Sequence, residues 1–204
     1  MRVLELILLV VLAPVIAFLA LVAATACLSS MGRPIVFRQL RLGRDGRPFS
    51  LLKIRSMTNE VDAAGNLLPD GDRTTRAGNF IRRFRLDELP SSINVLKGDI
   101  ALVGPRPLPP AFYEINPSAK ARLAVKPGFT GLSQVSGNTL LTDAEKIAVD
   151  LLYIRERSLG LDLSILLRTV WTVIGGERRD ERVIRRACAE GSRSDTVPSL
   201  GEAR

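Results

Sequence analysis

From Val3 to Cys27 the chain is apolar at nearly every position, interrupted only by Glu5, Pro14 and Thr25. That is about the ~20 residues needed to cross a bilayer. Proline removes a backbone donor and crowds the preceding turn, so Pro14 is expected to kink or break this helix inside the hydrocarbon region. Two topologies follow: a single span with the N-terminus outside, or a helix broken at Pro14 that enters and leaves by the same face. The basic stretch from Arg33 onward predicts a cytoplasmic body by the positive-inside bias. A cleaved export signal competes, because Ala24-Thr25-Ala26 forms an A-x-A pattern before Cys27. The apolar stretch is longer than the usual ~7–15-residue signal core, however, and its basic start is Arg2 alone.

Beyond the apolar stretch the pattern shortens. Arg38 to Arg55 alternates basic and apolar residues around Gly43 and Asp45-Gly46, which predicts a β-hairpin ending in the strand Phe49 to Ile54. Lys53 and Arg55 then share a strand face. Thr58 to Arg76 is polar, with Gly65, Pro69 and Gly71, and reads as a mobile surface loop. Helical pattern returns in pieces from Gly78 to Lys97 and closes at Gly98 as a C-cap. Ile100 to Val103 is a short strand candidate, Pro110 to Val125 a helix, and Lys126 to Gly131 a loop. Asp143 to Arg157 reads as an amphipathic helix capped by Thr142 or Asp143. Leu161 to Ile174 is an apolar helix too short to span, suited to a core or to the membrane interface, with Arg168 placed to snorkel. After Gly176 the chain turns basic, then Ser-rich, and is expected to fray.

The chain has 204 residues, a formal charge of +8 and no histidine. Its size suits one domain. Cys27 and Cys188 lie too far apart in sequence and context to suggest a disulfide framework. Without histidine, the usual Ser/His and Cys/His nucleophile pairs and common zinc sites are excluded. Chemistry falls to carboxylates, Lys, Arg and hydroxyls, and the positive charge predicts an anionic partner.

The densest constellation is Arg82-Arg83-Phe84-Arg85-Leu86-Asp87-Glu88-Leu89-Pro90. If a helix starts here, Asp87 takes the N-cap and Pro90 falls where its missing donor does no harm. Structurally, that is a helix cap with arginines neutralising acids. Functionally, the same helix N-terminus favours a phosphate and an ionised carboxylate nucleophile. An aspartate can take a phosphoryl group covalently, and Glu88 could handle protons or help hold a hard cation such as magnesium. Lys53, Arg55, Arg82 and Arg106 would neutralise pyrophosphate charge. A glycosidase needs two carboxyls facing each other about 5 Å or more apart, which adjacent residues do not easily supply. Nucleic-acid binding finds no reading module and few aromatics to support it.

Several motifs together resemble the bacterial sugar transferase family of monotopic phosphoglycosyl transferases. They are Gly32-Arg33-Pro34-Ile35-Val36-Phe37-Arg38-Gln39, Lys53-Ile54-Arg55-Ser56-Met57, Leu86-Asp87-Glu88-Leu89-Pro90, Asn94 to Asp99, Val103-Gly104-Pro105-Arg106-Pro107-Leu108 and Lys126 to Gly137. The resemblance implies an α/β, mostly helical fold. A re-entrant membrane helix broken at Pro14 would occupy residues 1–30, a small catalytic domain 31–176 with interfacial amphipathic helices, and a basic, polar tail 177–204. It implies transfer of a phospho-sugar from a UDP-sugar to polyprenyl (undecaprenyl) phosphate with release of UMP. That would be the first membrane step of glycoconjugate or polysaccharide assembly, on the cytoplasmic face of the bacterial inner membrane. By the same likeness magnesium is the cofactor, Asp87 the nucleophile and Glu88 its partner. Both acids would be metal ligands, while Lys53, Arg82 and Arg106 bind phosphate or nucleotide and Asp150 supports the substrate site. Ala13 before Pro14 and Arg85 before Leu-Asp-Glu depart from the family pattern, where serine, and serine or threonine, are common. Lacking the added segments of some relatives, the chain is expected to be a small form. The competing class is a non-catalytic scaffold that binds anionic lipids through its basic face.

Overall fold

The computed structural model describes residues 2–194. Helix α1 (Arg2–Met31) runs unbroken through Pro14. The interruption expected there does not form: a proline removes a single backbone donor, and the apolar residues on either side continue the helical pairing. At 1.5 Å per residue α1 is about 45 Å long, and the body of the protein holds it at both ends. Arg2 donates to the Leu96 carbonyl at 2.8 Å, and the Glu5 carboxylate faces the Leu102 backbone N–H at 3.4 Å. Near the other end Ser30 donates to Thr75 at 3.1 Å. Leu9, Ala23 and Cys27 are buried, whereas Val3, Val10, Val11, Val15, Phe18 and Leu21 are exposed on the opposite side.

The expected hairpin forms. Strands β1 (Val36–Leu42) and β2 (Pro48–Ile54) pair antiparallel from Val36↔Ile54 to Leu42↔Pro48, around a tight turn in which Asp45 takes φ 58°. The segment after it is more ordered than its polarity suggested. Val61 bridges Leu67, and Asp62 accepts backbone N–H groups of Ala64 and Asn66. Arg73, at the end of the short helix α2 (Asp70–Arg73), donates to Leu68 O and Asp70. Local side chains thus satisfy backbone groups that an open loop would leave to water.

The pieces of helix are α3 (Arg76–Arg83), a 3₁₀ turn (Leu86–Ser91) and α4 (Ser92–Lys97), closed by Gly98 at φ 87° as expected. Strand β3 (Ala101–Val103) follows. The single helix expected over 110–125 splits into α5 (Pro110–Ile115) and a 3₁₀ stretch (Pro117–Ala124). Pro117 is the cause, since the residue before a proline is pushed out of helical geometry and Asn116 sits at φ −120°, ψ 79°. The 126–131 loop contains an unforeseen strand, β4 (Gly128–Thr130), parallel to β3. Close backbone approach explains its glycine: a Cβ on Gly128 would lie 2.1 Å from Gly104 N, and one on Gly104 2.6 Å from Lys126 O. Gly128→Ala must therefore push two backbones apart. It is expected to cost about 3 kcal/mol or more, a fall in Tm of about 6–12 °C in a detergent-solubilised melt.

Helix α6 (Leu132–Val135) leads to α7 (Asp143–Glu156), α8 (Leu159–Gly175) and α9 (Glu181–Ser194). Thr142 and Glu145 cap α7 reciprocally, the Glu145 carboxylate accepting Thr142 N–H at 2.7 Å. The tail expected to fray instead forms α9, because Ile184 and Ala187 pack into the main core with Val149, Leu152 and Tyr153. The end of that tail, 195–204, lies outside the described residues. On α8, Leu163, Leu167, Val170, Trp171 and Ile174 form a bare apolar stripe. Arg168 does not snorkel; it pairs with Asp180 at 2.8 Å.

Candidate active site

Arg85 adopts a left-handed conformation, φ 54°, which ends α3 and starts the 3₁₀ turn. Asp87 is consequently not a helix cap; it is the second residue of the turn. Leu86 is buried and Leu89 half-buried in a cluster with Ala23, Cys27 and Ile81, so the intervening acids face away from α1. The turn is tied to β2. Ser91 donates to Leu52 O at 2.7 Å, while Asn94 accepts from Leu52 N and donates to Ser50 O and Asp99.

Lys53 on β2 brings Nζ within 3.2 Å of Glu88 Oε1 and 3.7 Å of Asp87 Oδ2. Arg106 Nη2 lies 2.8 Å from the same Glu88 oxygen. The two acids therefore differ electrostatically. Burial pushes Asp87 above the usual aspartate range, and the Glu88 charge adds to the rise against the opposing pull of Lys53 and Arg106. Burial acts the same way on Glu88, but Arg106 and Lys53 outweigh it and hold its carboxyl at about 2. Glu88 is a fixed anion between two cations, and Asp87 is the less committed carboxylate. Among the described residues no three acidic or cysteine side chains gather into a metal cage. The pair supplies two ligands at most.

The acids open onto a cleft of about 530 Å³ lined by Lys53, Arg55, Met57, Arg73, Arg82, Arg85, Asp87, Glu88, Arg106, Asn138, Thr139 and Glu177. Six of the predicted side chains, Lys53, Arg55, Arg82, Arg106, Asp87 and Glu88, thus share one cavity.

Residues 1–176 match the family model described as bacterial sugar transferase. The chain belongs to that family. It is 45% identical over 148 residues to an uncharacterized sugar transferase, EpsL, of Bacillus subtilis, covering 72% of this chain and 73% of the relative. It is 41% identical over 180 residues to a UDP-glucose:undecaprenyl-phosphate glucose-1-phosphate transferase of Caulobacter vibrioides, covering 83% and 67%. A UDP-N-acetylgalactosamine-undecaprenyl-phosphate N-acetylgalactosaminephosphotransferase of Aeromonas hydrophila is 41% identical over 182 residues, covering 81% of this chain but only 43% of its own length.

Two of the predicted substrate-binding residues are bonded to the protein's own groups. Arg55 is buried at the cleft edge and donates to the carbonyls of Met31 and Gly32, closing the C-terminal end of α1. Cations suit that end because its carbonyls lack helical partners. Asp150 is completely buried and cannot touch a ligand. It pairs with Arg122 at 2.5 Å, and Arg122 donates to the backbone carbonyl of Arg106 at 3.0 Å. Its connection to the cleft runs through Arg122 to the backbone of Arg106.

Arg82 lines the cleft with Nη1 3.5 Å from Met57 Sδ and its side chain otherwise exposed. Sequence reasoning missed Glu177, which accepts from Arg85 at 2.8 Å, from Asn138 at 2.5 Å and from Thr139. It also missed Arg41, which stands behind Glu88 beside Arg106; burial, then Arg106, lowers it to about 10. For Arg41 the alternation of Gln39 and Arg41 on β1 was an available signal. Glu177 had none.

Proposed function

We propose that the protein transfers a sugar 1-phosphate from a UDP-sugar to polyprenyl phosphate through a covalent intermediate on Asp87. The observation that carries this reading is the asymmetry of the acids: Glu88 is engaged by Lys53 and Arg106, while Asp87 faces the cleft with its carboxylate less engaged. An Asp87 oxygen attacks the phosphorus that bears the sugar, and the bond to the UMP oxygen breaks with its electron pair leaving on UMP. An oxygen of the lipid phosphate then attacks the same phosphorus and Asp87 is released, leaving a lipid diphosphate sugar. Splitting one displacement into two is the gain of covalent catalysis. Lys53 and Arg106 oppose the charge that builds on the transferring group, and Glu88 fixes both cations in place.

The donor set also fits magnesium, which is commonly bound by one or two carboxylates together with substrate phosphates and water. Held by Asp87 or Glu88 and the pyrophosphate, it would supply further neutralisation of phosphate charge. Chelation with EDTA is expected to abolish UMP release and added magnesium to restore it, measured by a coupled UMP assay. The same assay across a panel of UDP-sugars with a polyprenyl phosphate tests the function itself, and no UMP from any of them overturns it. Relatives named for glucose and for N-acetylgalactosamine transfer are both 41% identical, so overall similarity does not select the sugar.

The way α1 is held supports a membrane seat on one face. A helix with Arg2 and Ser30 both bonded to the same folded body does not carry Arg2 across a bilayer. Its bare side and the apolar stripe of α8 would enter the lipid from the cytoplasmic face. A cysteine placed at residue 2 should resist a membrane-impermeant thiol reagent applied from the periplasmic side. Labelling there would establish a full span.

A further inference from the structure

A second cavity, of about 450 Å³, adjoins Glu88. Its walls are Leu19 of α1, Phe80 of α3, Phe84 just after that helix, Leu89, Phe129 and Val173 of α8, and Arg85 and Glu88 also border it. Those two residues also border the polar cleft. One small turn therefore separates an apolar groove from a charged cleft. Phe80 and Phe84 are 50% and 40% exposed, and the groove lies between α1 and α8, the helices whose bare apolar faces were assigned to lipid.

We infer that this groove seats the isoprenoid chain of the lipid phosphate acceptor, with the phosphate delivered past Arg85 to the reacting centre. The inference rests on the proposed transfer reaction. In-line displacement requires the acceptor oxygen to arrive where UMP has just left. A phosphate at that point, on a chain insoluble in water, needs an apolar path from the reacting centre to the membrane. The groove provides that path, and burying methylenes along it favours a long acceptor over a short one. The uridine and sugar have no use for such walls. Arg85, ion-paired with Glu177 at 2.8 Å, stands where the path meets the cleft.

The test separates the half-reactions. UMP formed in a single turnover without lipid reports the first step, and lipid-linked product reports the second. With wild-type protein, undecaprenyl phosphate is expected to exceed a ten-carbon isoprenyl phosphate by about tenfold or more in kcat/KM. Val173→Trp fills the groove. Its ratio of lipid-linked product to UMP burst is expected to fall about tenfold with undecaprenyl phosphate, and its preference for the long chain to disappear. Val173→Ser, which leaves the groove open but less apolar, should show a smaller fall in the same direction. An unchanged ratio and unchanged chain preference in Val173→Trp overturn the inference. So does equal loss of burst and lipid product, because Val173 would then serve the nucleotide-sugar step. Absence of any burst in the wild-type protein overturns the transfer reaction itself.

Discussion

An Asp87→Asn protein is expected to form no sugar-phosphate adduct and to lose at least about 10³-fold in turnover, the scale on which covalent and electrostatic contributions to catalysis operate. Asparagine preserves the shape of the side chain but carries no ionised oxygen to attack phosphorus. Glu88 does not replace it. Its carboxyl is held at about 2 by Arg106 and Lys53, which makes it a weak base already engaged by two cations. Intact-mass measurement after incubation with UDP-sugar and magnesium should show the added sugar phosphate on the wild-type protein and none on Asp87→Asn. Glu88→Gln, in contrast, should still form the adduct, more slowly, since Lys53 and Arg106 lose the anion that aligns them. An Asp87→Asn protein with full turnover would exclude the proposed mechanism.

Arg122→Met should be the most damaging change outside the cleft. Side chains of Arg122 and Asp150 are 1% and 0% exposed, so the substitution leaves a carboxylate buried without its counter-charge. Breaking one side of such a pair costs about 3–5 kcal/mol, and for a domain of this size each kcal/mol lowers Tm by about 2–4 °C. Asp150→Asn in the same protein should recover much of the loss. The pH dependence has a defined sign. Burial raises Asp150 above its ordinary value of 3.8 even with Arg122 present, and removing Arg122 raises it further. Between 3.8 and the raised value the folded state binds the extra proton, so stability increases as pH falls through that window. The Arg122→Met penalty should therefore shrink on acidification, whereas a purely packing defect would keep its size. Thermal melts of wild type, single and double variants across acid pH measure this. The substitution also removes the donor to the Arg106 carbonyl, so slower UMP release should accompany the lower Tm.

Short-range features were legible because their causes lie within a few residues. Asp45-Gly46 made the hairpin turn, Thr142 with Glu145 capped α7, and Gly98 closed α4 in the conformation that glycine tolerates best. The acids and the cations Lys53, Arg82 and Arg106, singled out in the sequence, line one cleft in the structure. The same reasoning misjudged Asp87 as a cap, since it did not anticipate the left-handed turn at Arg85. It also assigned Arg55 to substrate, whereas in the structure its guanidinium donates to the carbonyls of Met31, Gly32 and Arg33 at the C-terminal end of α1.

The sequence by itself determined that an apolar helix precedes a basic, histidine-free body in which arginines crowd the adjacent acids Asp87 and Glu88. Only the tertiary structure decided how the acids divide. That depends on Lys53, 35 positions away, and Arg106, 18 positions away, both hydrogen-bonding Glu88, while Asp87 meets Lys53 at the longer 3.7 Å. It likewise decided that Asp150 pairs with Arg122, that Glu177 reaches back 92 residues to Arg85, and that α1 is bonded to the body near both ends. Turns and caps follow from local backbone preferences, which neighbouring residues reveal. Charge pairing depends on separations of a few ångströms that are set when distant segments pack, and no local pattern encodes them.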